Sequence, residues 1–118
     1  MENEIWVVIF EGNYLLRDSY YQLINGMPGL TCAGTFDNAW ELIFKIKRSD
    51  PEVVLRDIEM LGITGIEDVR IIKDSFPVVY IIMQTVLTFT VNALFIFICI
   101  TAGSLAFTQR DVQALKNS

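Results

Sequence analysis

The stretch that decides the fold reads Val53-Val54-Leu55-Arg56-Asp57-Ile58-Glu59-Met60-Leu61-Gly62-Ile63-Thr64-Gly65-Ile66-Glu67. Residues 53–55 form a short apolar, β-branched run, which is typical of a buried strand in a parallel sheet covered on both faces. Asp57 follows at the carboxyl end of this strand, where open α/β sheets place their functional sites. Gly62 and Gly65 then permit a tight turn before a new helix begins at Ile66.

The rest of the chain alternates apolar runs with amphipathic segments. Asp37 is the predicted N-cap of the second of five helices. The alternation predicts one domain over residues 1–118, a flavodoxin-like, doubly wound three-layer α/β/α sandwich with five parallel strands in the order 2-1-3-4-5. The predicted strands cover residues 5–10, 30–35, 53–55, 78–84 and 103–107, and the predicted helices cover residues 15–27, 39–46, 66–76, 92–101 and 110–117.

The composition narrows the range of functions. The chain carries 9 Lys and Arg against 14 Asp and Glu, a formal charge of −5, which argues against a nucleic-acid surface on this chain. It contains no His, which excludes imidazole metal sites and His-based catalysis. Cys32 and Cys99 lie far apart in apolar surroundings and are predicted to be buried free thiols. Residues 1–4 lack the layout of a secretion signal, so we expect a cytoplasmic protein.

Residues at the ends of the predicted strands form a recognisable constellation. Glu11 follows the first strand, Asp57 the third and Thr85 the fourth, and Asp57 opens the phrase Asp57-Ile58-Glu59-Met60-x-Gly62-x-x-Gly65. Together with Asn13, Leu15, Arg17, Asn92 and Ala102-Gly103, these residues resemble a response-regulator receiver domain of the NarL/FixJ type, with a CheY-like fold, over about residues 4–107. The resemblance implies a non-enzymatic two-component (phosphorelay) signalling module with a histidine kinase as partner.

The resemblance also implies a role for each matching residue. Asp57 matches the phosphoacceptor, and Thr85 matches the switch hydroxyl. Glu11, Asp57 and the main-chain carbonyl of Glu59 match the groups around a Mg²⁺ ion, which would neutralise the charge of acceptor and donor. A receiver of this kind signals by repacking the surface around its fourth helix and fifth strand.

Several positions depart from the family pattern, among them Leu61, in place of a proline, and Ser104, in place of an aromatic residue; three others bear directly on the site. Gly12 stands where receivers place the second carboxylate, the direct metal ligand, and Phe107 stands where they place the lysine that pairs with phosphate. We therefore expect weak or absent Mg²⁺ binding and impaired phosphotransfer. Arg56 stands where an apolar strand residue is expected; it could replace the lysine, although reaching solvent or pairing with a neighbouring acid is the simpler interpretation.

The last third of the sequence has an unusual composition, because no Lys, Arg, Asp or Glu occurs from Ser75 to Gln109. The predicted fourth helix is apolar on every side, so its outer face must be covered by another surface. We expect a symmetric homo-oligomer. The predicted interface residues are Leu94, Phe95, Phe97, Ile98 and Phe107.

Three alternatives remain open. Residues 89–107 are long enough to enter a membrane, but interrupting polar residues argue against insertion. The chain could be an engineered or degenerate receiver that serves as a homo-oligomeric interaction module without phosphotransfer. A hydrolase acting through Asp57 and Glu11 is disfavoured, because no base, nucleophile or oxyanion site accompanies them.

Overall fold

The computed structural model describes residues 4–58, 65–89 and 92–100, which form one sheet with helices on both faces. The strands and helices, in chain order, are β1 (Ile5–Phe10), α1 (Tyr14–Gly26), β2 (Leu30–Phe36), α2 (Leu42–Ser49), β3 (Val53–Asp57), α3 (Gly65–Ser75), β4 (Tyr80–Phe89) and β5 (Asn92–Ile100). The strand order is β2-β1-β3-β4-β5. It confirms the predicted order of the first four strands, whereas the observed β5 is a different segment from the predicted fifth strand at 103–107. The first four strands pair in parallel, and β5 pairs antiparallel with β4.

Two apolar clusters cover the two faces of the sheet, because alternate residues of a strand point to opposite sides. On the face that we call the α1 face, Tyr20 and Ile24 of α1 pack with Ile9 and Leu55. On the opposite face, the α3 face, residues of α2 and α3 pack with Val8, Phe10, Val54, Ile81 and Met83. This double coverage explains why β1 and β3 read as unbroken apolar runs, and it confirms the predicted layered architecture.

Local signals set the ends of the first helix. The side chain of Asn13 accepts a hydrogen bond from the Leu16 N–H at 2.9 Å and caps α1. The turn into β2 passes through Gly29, whose φ of +86° lies in the left-handed region that a side chain disfavours.

The predicted cap of the second helix is wrong, because α2 begins at Leu42. Asp37 instead accepts a hydrogen bond from the Asn38 side chain at 2.8 Å. Asn38 in turn accepts one from the Trp40 N–H at 3.0 Å. This side-chain-stabilised turn competes with the helix for residues 37–41 and delays the helix start.

The predicted helix over residues 92–101 is also wrong. Asn92–Ile100 form β5, which pairs with β4 from Phe89 opposite Asn92 to Ile81 opposite Ile100. A run that is apolar at every position has no period to separate helix from strand, and its Ile and Phe residues favour a strand. The proposed interface residues Leu94, Phe95, Phe97 and Ile98 therefore lie on a strand rather than on a helix.

Some predictions fall outside the described residues. These are the last strand at 103–107 with Phe107, the helix at 110–117, and the main-chain carbonyl of Glu59.

Candidate functional site

Asp57 and Glu11 lie side by side at the carboxyl edge of the sheet. Asp57 is the last residue of β3, and Glu11 directly follows β1. The two strands are parallel neighbours with Phe10 opposite Arg56, so the register brings the next residues, Glu11 and Asp57, together. Glu11 is buried, with 2% of its surface exposed, whereas Asp57 is half-buried.

Main-chain and side-chain contacts fix Glu11 in this position. Its main-chain N–H donates to the Phe36 carbonyl at 2.9 Å, and its own carbonyl accepts from Arg17 Nη1 at 2.8 Å. Carboxylate oxygen Oε2 accepts from the Asn13 N–H at 3.0 Å. The other oxygen, Oε1, is buried and has no hydrogen-bond partner among the described residues.

The environment of Glu11 favours its neutral form. Burial raises the pKa of its carboxyl group to about 7, and the nearby Asp57 carboxylate adds to the increase, while the Asn13 N–H and Arg17 oppose it. Burial and the same two carboxylates raise the pKa of the Tyr20 phenol on α1 to about 12. Two carboxylates thus share one partly buried region of negative potential on the α1 face.

Thr85 lies at the same end of the sheet but inside a strand. Asp57 pairs with Gln84, so Thr85 is one residue beyond the register partner of Asp57. The predicted end of the fourth strand at Gln84 is wrong, because β4 continues to Phe89 and Thr85 pairs with Ile96 of β5. Thr85 is half-buried, and alternation along β4 puts it on the α3 face with Met83.

Arg56 does not take the place of the missing lysine. It is fully buried on the α3 face, where its guanidinium forms an ion pair with Asp68 of α3. Its Nη1 also donates to the carbonyls of Asp57 and Ile58, the latter at 3.3 Å. Of the two simpler interpretations, pairing with a neighbouring acid is confirmed and reaching solvent is wrong.

Asp68 and Gln84 are buried polar residues that the sequence analysis did not single out. Burial raises the pKa of Asp68 to about 6, although the charge of Arg56 lowers it. Gln84 is fully buried in β4, and neither Oε1 nor Nε2 of its side chain has a hydrogen-bond partner among the described residues. The available signal for Gln84 was its position, as a single amide within an otherwise apolar strand.

The oxygen donors for a hard cation are few in the described part of the chain. No group of three or more acidic, Cys or His side chains there could hold a metal ion. Glu11 and Asp57 remain as a pair of carboxylates, and Gly12 adds none. Because Mg²⁺ binds through one or two carboxylates and keeps several waters, the pair fits such an ion, although a neutral Glu11 would be a poor ligand.

The described residues include no helix long and apolar enough to cross a lipid bilayer.

Comparison with known proteins identifies the family of the chain. The chain matches the family model of the response regulator receiver domain over residues 7–103. It is 26% identical over 110 residues to the uncharacterised transcriptional regulatory protein YxjL of Bacillus subtilis, covering 93% of this chain and 49% of that protein. It is 30% identical over 82 residues to the response regulator GacA of Pseudomonas viridiflava, covering 70% of this chain and 38% of that protein.

Solved structures agree on the fold. The response regulator domain of Thermotoga maritima CheB superposes with a TM-score of 0.67 at 23% identity, covering 98% of this chain and 73% of that chain. The present chain spans about half, or less, of the length of YxjL and GacA. The family match covers most of this sequence, and the chain belongs to the response regulator receiver domain family.

Proposed function

We propose that Asp57 is the phosphoryl acceptor of this receiver domain and that it accepts the group slowly. The observation that carries the proposal is the position of Asp57 at the carboxyl end of β3, half-buried beside the buried Glu11. A carboxylate at this edge can be reached from solvent by a phosphodonor such as a phosphohistidine of a histidine kinase. The module itself then signals through changed protein contacts rather than through catalysis of its own.

Phosphoryl transfer to Asp57 brings two anions together, so their negative charge must be neutralised. An Asp57 oxygen attacks phosphorus, a P–O bond forms, and the bond to the donor's leaving group breaks as that group takes up a proton. Glu11 and Asp57 would hold Mg²⁺ between them, and the ion would neutralise the phosphoryl oxygens. The resemblance implies that Thr85 is the switch hydroxyl. Alternation along β4 puts its side chain on the α3 face, opposite to that of Asp57, so Thr85 would have to move to contact the phosphoryl group.

Three features support slow transfer. Glu11 has a raised pKa and is partly neutral near pH 7, which weakens it as a metal ligand. Gly12 supplies no second carboxylate beside it. The guanidinium of Arg56 forms an ion pair with Asp68 and donates to main-chain carbonyls on the α3 face, so it is not positioned to pair with a phosphoryl group on Asp57.

Incubation with acetyl phosphate and Mg²⁺, followed by intact mass, tests the proposal. We expect a small gain of one phosphoryl group that disappears in Asp57→Asn. Gly12→Asp, which restores a second carboxylate, should increase the yield, whereas Gly26→Asp, at the far end of α1, is a matched control that should not. A rapid, complete reaction of the wild-type chain would contradict impaired transfer, and label that survives Asp57→Asn would contradict the assigned acceptor.

A second candidate function is a homo-oligomeric interaction module without phosphotransfer. It is favoured by the position of β5 at the edge of the sheet that the described residues form, and by the absence of charged residues from Ser75 to Gln109. A long apolar edge strand offers unpaired main-chain groups to a second copy. The proposed contact residues on β5 are Leu94, Phe95, Phe97 and Ile98; Phe107 belongs to the same proposal.

Light scattering after size exclusion tests this candidate. If it is correct, the wild-type chain is a dimer or larger, Phe95→Lys or Ile98→Lys gives a smaller species, and Asp57→Asn changes nothing. A wild-type monomer at high protein concentration would exclude it.

A further inference from the structure

Gln84 carries a buried side-chain amide without a hydrogen-bond partner among the described residues. The side chain is fully buried, and neither Oε1 nor Nε2 has a hydrogen-bond partner among the described residues. Most buried polar groups in proteins are paired, and an unpaired one is destabilising. A methionine would fill nearly the same space without an unsatisfied group. The amide therefore needs an explanation other than packing.

The sheet places Gln84 directly beside Asp57. The two residues are register partners in the parallel pair β3 and β4, and the Ile58 N–H donates to the Gln84 carbonyl at 2.8 Å. Leu55 and Ile82, two residues earlier on each strand, both contribute to the cluster on the α1 face. Because side chains alternate along a strand, Asp57 and Gln84 emerge on that same face.

Asp57 is thus flanked on both sides by buried polar side chains. Glu11, following β1, lies on one side, and Gln84 of β4 lies on the other, with a carboxamide that has no hydrogen-bond partner among the described residues. Of these two, Gln84 always carries N–H donors. An oxyanion on Asp57 would be an acceptor for them.

Several cations on these elements are engaged elsewhere. Arg56 pairs with Asp68, and Lys73 Nζ donates to the Val79 carbonyl at 2.7 Å. Arg17 donates to the Glu11 carbonyl and lies 5.6 Å from the Tyr14 ring. Each of these three cations already has a partner, whereas the Gln84 amide beside Asp57 has none among the described residues.

We propose that the Gln84 carboxamide is the hydrogen-bond donor to the phosphoryl oxygens of the group carried by Asp57. This inference rests on the proposed function of Asp57. A neutral donor forms weaker hydrogen bonds to an anion than a charged one does, so its use is consistent with slow transfer. In the unphosphorylated chain the amide has no hydrogen-bond partner among the described residues, and it gains one when Asp57 is phosphorylated.

The test measures binding of beryllofluoride with Mg²⁺ to the whole chain, in the wild-type and Gly12→Asp backgrounds. Gln84→Met removes the donor with little change in shape, and Gln22→Met, at an exposed glutamine of α1, is the matched control. We expect Gln84→Met to weaken binding about tenfold, which corresponds to about 1.4 kcal/mol, without lowering the urea midpoint. The side-chain amide resonance of Gln84 should shift on addition of beryllofluoride in the wild type and remain unchanged in Asp57→Asn.

The possible failures are distinguishable. Asp57-dependent binding that Gln84→Met weakens no more than Gln22→Met does would overturn the role of Gln84 and leave the role of Asp57 intact. Absence of binding in both backgrounds would overturn both. Weaker binding together with a lower urea midpoint in Gln84→Met would indicate a structural role, and an unmoved Gln84 resonance would then refute the inference.

Discussion

Replacing Arg56 by methionine should destabilise the domain strongly. The guanidinium and the Asp68 carboxylate are both fully buried, and one oxygen of Asp68 is already without a hydrogen-bond partner among the described residues. Removing one member of a buried ion pair leaves the other uncompensated, at a cost of about 3–5 kcal/mol. The carbonyls of Asp57 and Ile58 also lose their donor. With a urea dependence of about 2 kcal/mol per molar, the unfolding midpoint should fall by about 2 M.

The double variant Arg56→Met/Asp68→Val makes the test independent of whether the single variant folds. It removes both charges and keeps a similar volume, so we expect its free energy of unfolding to be near or above that of the wild type. Urea titrations followed by far-UV circular dichroism measure all three proteins. A single variant that shifts the midpoint by less than about 0.5 M, or a double variant as unstable as the single one, would refute the reasoning.

The pH dependence gives a second check on the same pair. The pKa of Asp68 is about 6 in the folded chain and 3.8 ordinarily, so the native state retains a proton that the unfolded state releases. The contribution of Asp68 to the free energy of unfolding is therefore greatest below pH 4 and decreases as the pH rises towards 6. Without Arg56 the carboxylate loses its counter-charge, so the penalty of Arg56→Met should be smaller at pH 5 than at pH 7.5.

Three further predictions concern other parts of the molecule. Glu11→Gln should flatten the dependence of unfolding free energy on pH. In the wild type the pKa of Glu11 is raised from 4.5 to about 7, so its contribution to stability falls by on the order of 3 kcal/mol between these pH values. Urea midpoints at pH 5 and 7.5 measure this fall, and an unchanged pH dependence in Glu11→Gln would contradict the assignment. Asn13→Ala removes the cap on the Leu16 N–H and should cost about 1 kcal/mol in thermal or urea unfolding, whereas Asn13→Ser should not. Gly29→Ala, at φ +86°, should destabilise by about 1 kcal/mol in the same assay, and a stabilising effect would contradict the conformation described for that turn.

The central strands and the candidate acceptor could be predicted because their signals are local. An apolar run bounded by Pro51 and Asp57 defines β3, and Asn13 marks the start of α1. Strand order followed from the alternation of strands and helices, which allows few topologies. Glu11 and Asp57 then come together simply because the carboxyl ends of β1 and β3 meet at one edge.

The errors arise where the deciding contact is remote or where the pattern carries no period. Asp68 lies in the first turn of α3, where an acidic residue is favoured by the helix dipole and so does not indicate an ion pair. Its partner, Arg56, lies twelve positions earlier in the sequence. Residues 93–100 are apolar throughout, so only pairing with β4 decides between helix and strand. Gln84 is predicted to end the fourth strand, because a polar residue after an apolar run normally marks a strand end.

The antiparallel attachment of β5 has a consequence for the order of folding. Strands β1, β3 and β4 each need a helical crossover between them before they can pair, which closes long loops and is slow. Strands β4 and β5 are separated only by residues 90–91 and can zip together as a hairpin, an event that takes about 1–10 μs in isolated chains. We therefore expect residues 80–89 and 92–100 to acquire structure before the parallel centre, so that β4 is already paired with β5 when it pairs with β3.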